Sequence, residues 1–135
     1  MNALKQIKRC PVEVTLQCIG KKWALHIIRD MFQGKTRFSD FLKANQKLST
    51  KSLAIRLREL EKTGLIEKAI KHKTPLLIEY NLTEKGKALG ATIRELAIFS
   101  IKHNPSDVFE EMPKSFDDAI KEATQRFSFQ SDAPA

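Results

Sequence analysis

Apolar residues along this chain recur mostly at the spacing of amphipathic helices, and one stretch changes to the character of strands. Pro11 suits the first turn of a helix, where its missing N–H costs nothing, and Val12, Leu16 and Ile19 follow at i, i+4, i+7. Gly20 is expected to close that helix as a left-handed cap. A second helix is expected over residues 22–33, with Trp23, Ile27 and Met31 on one face and Leu25, Ile28 and Phe32 on another. A short helix with two apolar faces is buried on both sides, and Gly34 caps it. Residues 36–38 are too few for more than an edge strand. Ser39 is expected to begin a third helix over 40–45, packing Phe41 and Leu42.

Ser49 is a good N-cap for a fourth helix, because its hydroxyl can accept from a first-turn N–H. Leu53, Leu57 and Leu60 form the buried stripe of this helix, and Gly64 ends it. At about 100° per residue, Lys51, Ile55, Arg58 and Lys62 fall on the opposite side. Residues 65–71 and 76–82 are β-rich, with His72, Lys73, Thr74 and Pro75 as a hairpin tip. Thr83 caps a long helix from Glu84 to about His103, carrying Leu89, Ile93, Leu96 and Ile101. Asn104, Pro105 and Ser106 break it. Ser115 caps a last helix, with Asp118 as capping-box partner and Phe116, Ile120, Ala123 and Phe127 as its stripe. The final residues, 131–135, are expected to fray.

Helix, helix, short strand, helix, helix, hairpin, long helix is the order of a winged helix-turn-helix. The expected fold class is therefore mainly α with a small β-hairpin wing, flanked by N- and C-terminal dimerisation helices. Residues 1–104 would form the DNA-binding and dimerisation domain and 105–135 an acidic helical extension. The chain's 135 residues are one domain's worth, 41% hydrophobic and 30% charged, which excludes a disordered or collagen-like chain. No apolar run approaches the roughly 18 residues of a membrane span, and the polar, basic start reads as no signal peptide. Two cysteines make no disulfide framework, so a reducing cytoplasm is the expected compartment.

Charge adds direction. The net charge is +8, but residues 1–103 hold 21 basic and 9 acidic side chains, a net +12, whereas 104–135 hold 3 and 7, a net −4. Residues 35–75 alone carry 11 basic and 4 acidic, a net +7, over the third and fourth helices and the hairpin. A basic field confined to one segment suits a polyanion, nucleic acid first.

Several motifs then stand in register: Cys10-Pro11-Val12-Glu13, Ile19-Gly20-Lys21-Lys22-Trp23, Gly34-Lys35-Thr36-Arg37-Phe38, Leu57-Arg58-Glu59-Leu60-Glu61 with Gly64-Leu65-Ile66, and Glu79-Tyr80-Asn81-Leu82-Thr83-Glu84-Lys85-Gly86. In this order, over about residues 10–103, the chain resembles the HxlR family of prokaryotic winged-helix regulators, relatives of the MarR type. Two departures are visible. Lys21 stands where the family has a second glycine, and Pro75-Leu76-Leu77 lacks the family's basic residue on the descending wing strand. The resemblance implies a homodimeric regulator of double-stranded DNA, dimerised through the first and long helices, responsive to a small-molecule or oxidant effector.

The candidate DNA contacts follow from helix position and charge. Ser49, Thr50 and Lys51 open the fourth helix, where base edges come within reach. Lysine can pair with guanine, and Ile55 can meet a thymine methyl. Arg58 and Lys62 suit phosphates, as does Arg37 before the third helix. Lys71, His72 and Lys73 cluster at the wing. For the fourth helix the bland alternative is a solvated outer face, for Arg37 a structural ion pair, and for the wing an exposed, mobile basic loop. Arg56 has two equal readings, an i,i+3 pair with Glu59 or a phosphate contact. Cys10, at a helix N-cap beside Lys8 and Arg9, is the candidate redox sensor, since the dipole and nearby cations favour thiolate. Alternatively it simply starts a helix. Cys18 reads as a core residue, too far along the helix to bond Cys10. No catalytic constellation, metal-ligand spacing, cofactor loop or membrane segment appears. The competing functional class is a winged-helix protein-interaction module without specific DNA binding.

Overall fold

The computed structural model describes residues 3–127. A 3-10 turn, Ala3–Gln6, leads into α1 (Pro11–Ile19), α2 (Ala24–Phe32), α3 (Phe38–Ala44) and α4 (Thr50–Lys62). The antiparallel hairpin of β1 (Ile66–Lys73) and β2 (Leu76–Leu82) follows. Beyond it come α5 (Glu84–Lys87), α6 (Gly90–His103), α7 (Pro105–Val108), α8 (Phe116–Thr124) and a 3-10 turn, Gln125–Phe127. This is a mainly helical winged helix-turn-helix. The expected frayed end, 131–135, lies outside the described residues.

The core forms where the apolar stripes meet. Ile27, Ile28 and Met31 of α2 pack with Phe41 of α3, Leu53, Leu57 and Leu60 of α4, and Ile66 of β1. Leu25, Phe32 and Trp23 flank the same cluster, so α2 is covered on both its apolar faces. Burying each such side chain contributes about 1.5–3 kcal/mol against the entropy of ordering it. The C-terminal segment joins this core: α8 lies on α6, and the Phe127 ring meets Phe32 edge-on at 5.5 Å. Phe116 and Ala123 of the expected stripe stay exposed.

Several local expectations are corrected. Gly20 closes α1 in the right-handed region, φ −79°, and the left-handed residue is Trp23, at φ 79°. α3 begins at Phe38, not after Ser39, because the Asp40 carboxylate accepts from the Arg37 N–H at 3.0 Å and so caps the helix two residues earlier. Residues 36–38 form no strand; the Thr36 carbonyl accepts a single bond from the β2 residue Tyr80, 2.8 Å. β1 runs to Lys73, leaving only Thr74 and Pro75 at the tip. The expected long helix is broken between α5 and α6. Gly86 lies against β1's entry, where a Cβ would stand 2.1 Å from the Leu65 carbonyl oxygen. That close approach fixes α5 against the base of the wing, and the chain turns at Ala88 and Leu89 before α6 starts.

Candidate nucleic-acid interface

The outward face of α4 is set from below. Ser49 accepts from the Ser52 N–H at 3.0 Å, satisfying a first-turn donor and fixing where the helix starts. Leu53, Leu57 and Leu60 then lock its rotation by burial to 3% exposure or less. The turn before it is held by a polar cluster that the sequence pattern did not reveal. Asp30, buried on α2, accepts from the Asn45 amide at 2.7 Å and from Arg29 at 2.9 Å. The Asn45 amide also donates to the Phe41 carbonyl, 2.9 Å, and its oxygen accepts from Arg29. A buried carboxylate needs such partners. One signal could have pointed here: Asp30 interrupts an apolar helix face between Ile27 and Met31.

The wing is braced at its base. The Thr83 hydroxyl donates to the Gly64 carbonyl and accepts from the Gly86 N–H, and Lys85 donates to the Thr63 carbonyl at 2.7 Å. Register runs Ile66↔Leu82 through Ile70↔Ile78, then shifts, pairing His72 with Leu77 and Lys73 with Leu76. The shift leaves Lys71 unmatched in a bulge, a device that re-aims side chains.

Of the candidate contacts, Arg37, Ser49, Thr50, Lys51, Arg58, Lys71, His72 and Lys73 are all exposed. Ile55 is half-buried. Ser49 is occupied as a cap through its acceptor side, which leaves its O–H free to donate. Among the described residues, Arg37, Lys51, Arg58, Lys62, Lys71 and Lys73 have no carboxylate partner, and each is exposed to solvent. Arg56 is different: it pairs with Glu59 and its Nε donates to the Lys22 carbonyl at 2.9 Å. Lys21 reaches the same Glu59 at 3.3 Å. Slight burial pushes the Glu59 carboxyl up, but hydrogen bonds from Lys21 and Arg56 outweigh it and hold the group below the usual carboxylate range. His26, beside the Trp23 ring at 4.9 Å, is held below its ordinary value by burial first and then by Arg29.

Cys10 is exposed at the α1 N-cap, and its side chain makes no capping bond there. Cys18 packs half-buried against the core. Among the described residues no cluster of His, Cys, Asp and Glu could hold a metal, and no helix is long and apolar enough to cross a membrane. The arrangement presents a rigid cationic helix face beside a cationic hairpin. Charges and donors of this kind are what phosphates and base edges accept.

Comparison with known proteins agrees with this geometry. The model of the HxlR-like helix-turn-helix family matches residues 18–107. The uncharacterised helix-turn-helix transcriptional regulator YdeP of Bacillus subtilis is 37% identical over 94 residues, 70% of this chain and 73% of that one. The solved structure of the redox regulator HypR in its oxidised form is 34% identical and superposes with a TM-score of 0.65, covering 70% of this chain and 97% of that one. The reduced form of the transcriptional regulator YodB from B. subtilis is also 34% identical, with a TM-score of 0.62 over 70% of this chain and 94% of that one.

Proposed function

Because this chain belongs to the HxlR-like helix-turn-helix family, and is thereby a transcriptional regulator and no enzyme, we propose that it binds a pseudo-palindromic operator as a homodimer. The observation that carries this reading is the division among its cations. Arg29 and Arg56 are paired with carboxylates of this chain, whereas among the described residues Lys51, Arg58, Lys62, Lys71 and Lys73 have no carboxylate partner. Lys51 and Thr50 read bases, Ser49 and Ile55 border them, and Arg37, Arg58, Lys71, His72 and Lys73 hold backbone. Residues 1–104 carry these functions, with 105–135 as an appended extension.

Dimerisation uses α1 and α6. Val12 and Leu16, 66% and 54% exposed, stand one turn apart on α1, and Leu96 and Phe99, 51% and 61%, stand one turn apart on α6, so each helix shows a grouped apolar surface of the kind that marks an interface. A two-fold axis there sets two α4 helices in successive major grooves about 34 Å apart. Selection of bound duplexes from a random pool tests both parts. Paired half-sites about 10 base pairs apart are expected. Recovery of no consensus, together with a flat salt dependence, would instead support a protein-interaction module.

A second reading concerns the effector. Cys10 is exposed at a helix N-cap, and the HypR and YodB structures are of regulators in named redox states. Oxidation of Cys10 is expected to change DNA affinity. Diamide treatment of wild type and of Cys10→Ser decides it: equal responses of the two proteins remove Cys10 from the mechanism.

A further inference from the structure

Glu59 is the anomaly on α4. It is a carboxylate, 40% exposed, on a helix whose open face is cationic. Charge alone would make it a liability to any polyanion-binding surface. Yet both its oxygens are engaged: Oε2 accepts from Lys21 at 3.3 Å, and Oε1 accepts from Arg56. Arg56 in turn donates to the Lys22 carbonyl, so the α1–α2 loop is attached to α4 at two successive residues.

That loop has little freedom of its own. A Cβ at Gly20 would stand 2.4 Å from the Leu16 carbonyl oxygen, and Trp23 is held in the left-handed region, costly for an aromatic residue. The Lys22 ammonium lies 5.3 Å from the centre of the Trp23 ring. A stiff loop gripping α4 halfway along its length is a reference point for where that helix sits. The same loop is the direct continuation of α1.

We infer that Lys21, Arg56 and Glu59 are positioning residues for DNA recognition. They fix the rotation and depth of α4 against the α1–α2 loop without themselves touching DNA. This inference rests on the DNA-binding reading above. Its consequence runs against simple electrostatics. Removing the Glu59 charge from a surface that meets phosphates should tighten binding to every duplex, whereas loosening the grip on α4 should weaken binding to the operator selectively.

The test is the ratio of operator to non-specific affinity, measured as a function of salt for wild type, Glu59→Gln and Arg56→Gln. Glu59→Gln is expected to lower operator affinity about fivefold, the scale of an exposed ion-pair network, while leaving non-specific affinity equal or slightly raised. Arg56→Gln is expected to lower the ratio similarly with an unchanged salt slope. A slope reduced by about 0.9 would make Arg56 a phosphate contact and overturn its assignment. Operator binding that is unchanged or tighter in Glu59→Gln overturns the whole inference, as does an equal loss on all duplexes. Should Glu59→Gln fail to fold, Lys21→Gln, which removes only the outer partner, carries the same ratio test. A wild type that prefers no duplex refutes the regulator reading; a discriminating wild type with equally discriminating variants refutes only the positioning role.

Discussion

α4 and α6 are nearly equal in length, 13 and 14 residues, and each buries one face on the same body, yet they leave opposite kinds of surface open. α4 turns its leucines inward and shows Lys51, Arg58 and Lys62 to solvent. α6 buries Ile93 and Ile101 and shows Leu96 and Phe99. A shallow groove along that open side is lined by Ala91, Glu95, Leu96, Phe99 and Lys102. An exposed charge is at ease in water, so the α4 face is stable alone and becomes useful when a polyanion arrives. An exposed phenylalanine is not, so the α6 face calls for a second apolar surface. On the proposed function the difference would divide the labour, one helix addressing nucleic acid and the other another copy of the chain.

The largest effect should come from the inward face of α4. Leu53 is fully buried, and Leu53→Ala leaves a cavity beneath the helix. A loss of about 2–5 kcal/mol in urea unfolding is expected. A loss below 1 kcal/mol would mean that α4 is not seated on this core as described. The next effect belongs to α6. Phe99→Glu places a charge at the centre of the proposed dimer contact, where truncating an anchor costs about 2–4 kcal/mol. Sedimentation should show monomers, with monomer stability intact because the side chain is already outside the core. A Phe99→Glu protein that still sediments as a dimer moves the contact elsewhere.

The two helices were unequally legible in the sequence. α4 was readable throughout, since a capping serine, a leucine stripe and a cationic counter-face are all local signals. α6 was expected as part of one uninterrupted helix from Glu84. Its break depends on Gly86 approaching the Leu65 carbonyl, twenty-one positions earlier, and no local pattern records that. The same holds for the site. The exposed cations could be named from periodicity, because exposure follows from being opposite a buried stripe. The partners of Arg56 could not be chosen. On sequence its i+3 pairing with Glu59 competes equally with a phosphate contact, and the bond to the Lys22 carbonyl, thirty-four positions away, has no sequence signature. The Asp30–Asn45 link failed to show for the same reason, although a carboxylate on an apolar face announces that some partner must exist.

On the α4 side a middle-sized effect sharpens the contrast. Lys51 is exposed in the first turn and unpaired among the described residues. Lys51→Ala should weaken operator binding by about 1–3 kcal/mol and relax preference at one base position. An equal loss on all sequences would reassign it to phosphate. Substituting the α6 lysine, Lys102, should change neither operator preference nor the salt slope. A slope change there of the size expected for one phosphate contact, about 0.9, would blur the division between the two helices.

The smallest effect concerns how the two helices are fastened. Ile93 of α6 joins the core as an apolar side chain, which does not titrate, whereas α4 is attached to the α1–α2 loop through Glu59. Because the folded state holds the Glu59 pKa below its ordinary 4.5, folding favours the carboxylate. That contribution is fully present above the unfolded value. It fades as pH falls through 4.5 and on through the lower folded value, where the folded protein also takes up the proton. Solvent screening at this exposed site keeps it below about 1 kcal/mol. Urea unfolding of wild type and Glu59→Gln should therefore differ slightly at pH 7 and converge as the pH is lowered well below 4.5. Ile93→Ala, which removes only buried apolar atoms of α6, should differ from wild type by a constant amount over the same range. A Glu59→Gln difference that stays constant with pH would mean that the side chain acts by shape rather than by charge, and α4 would then be fastened in the same way as α6.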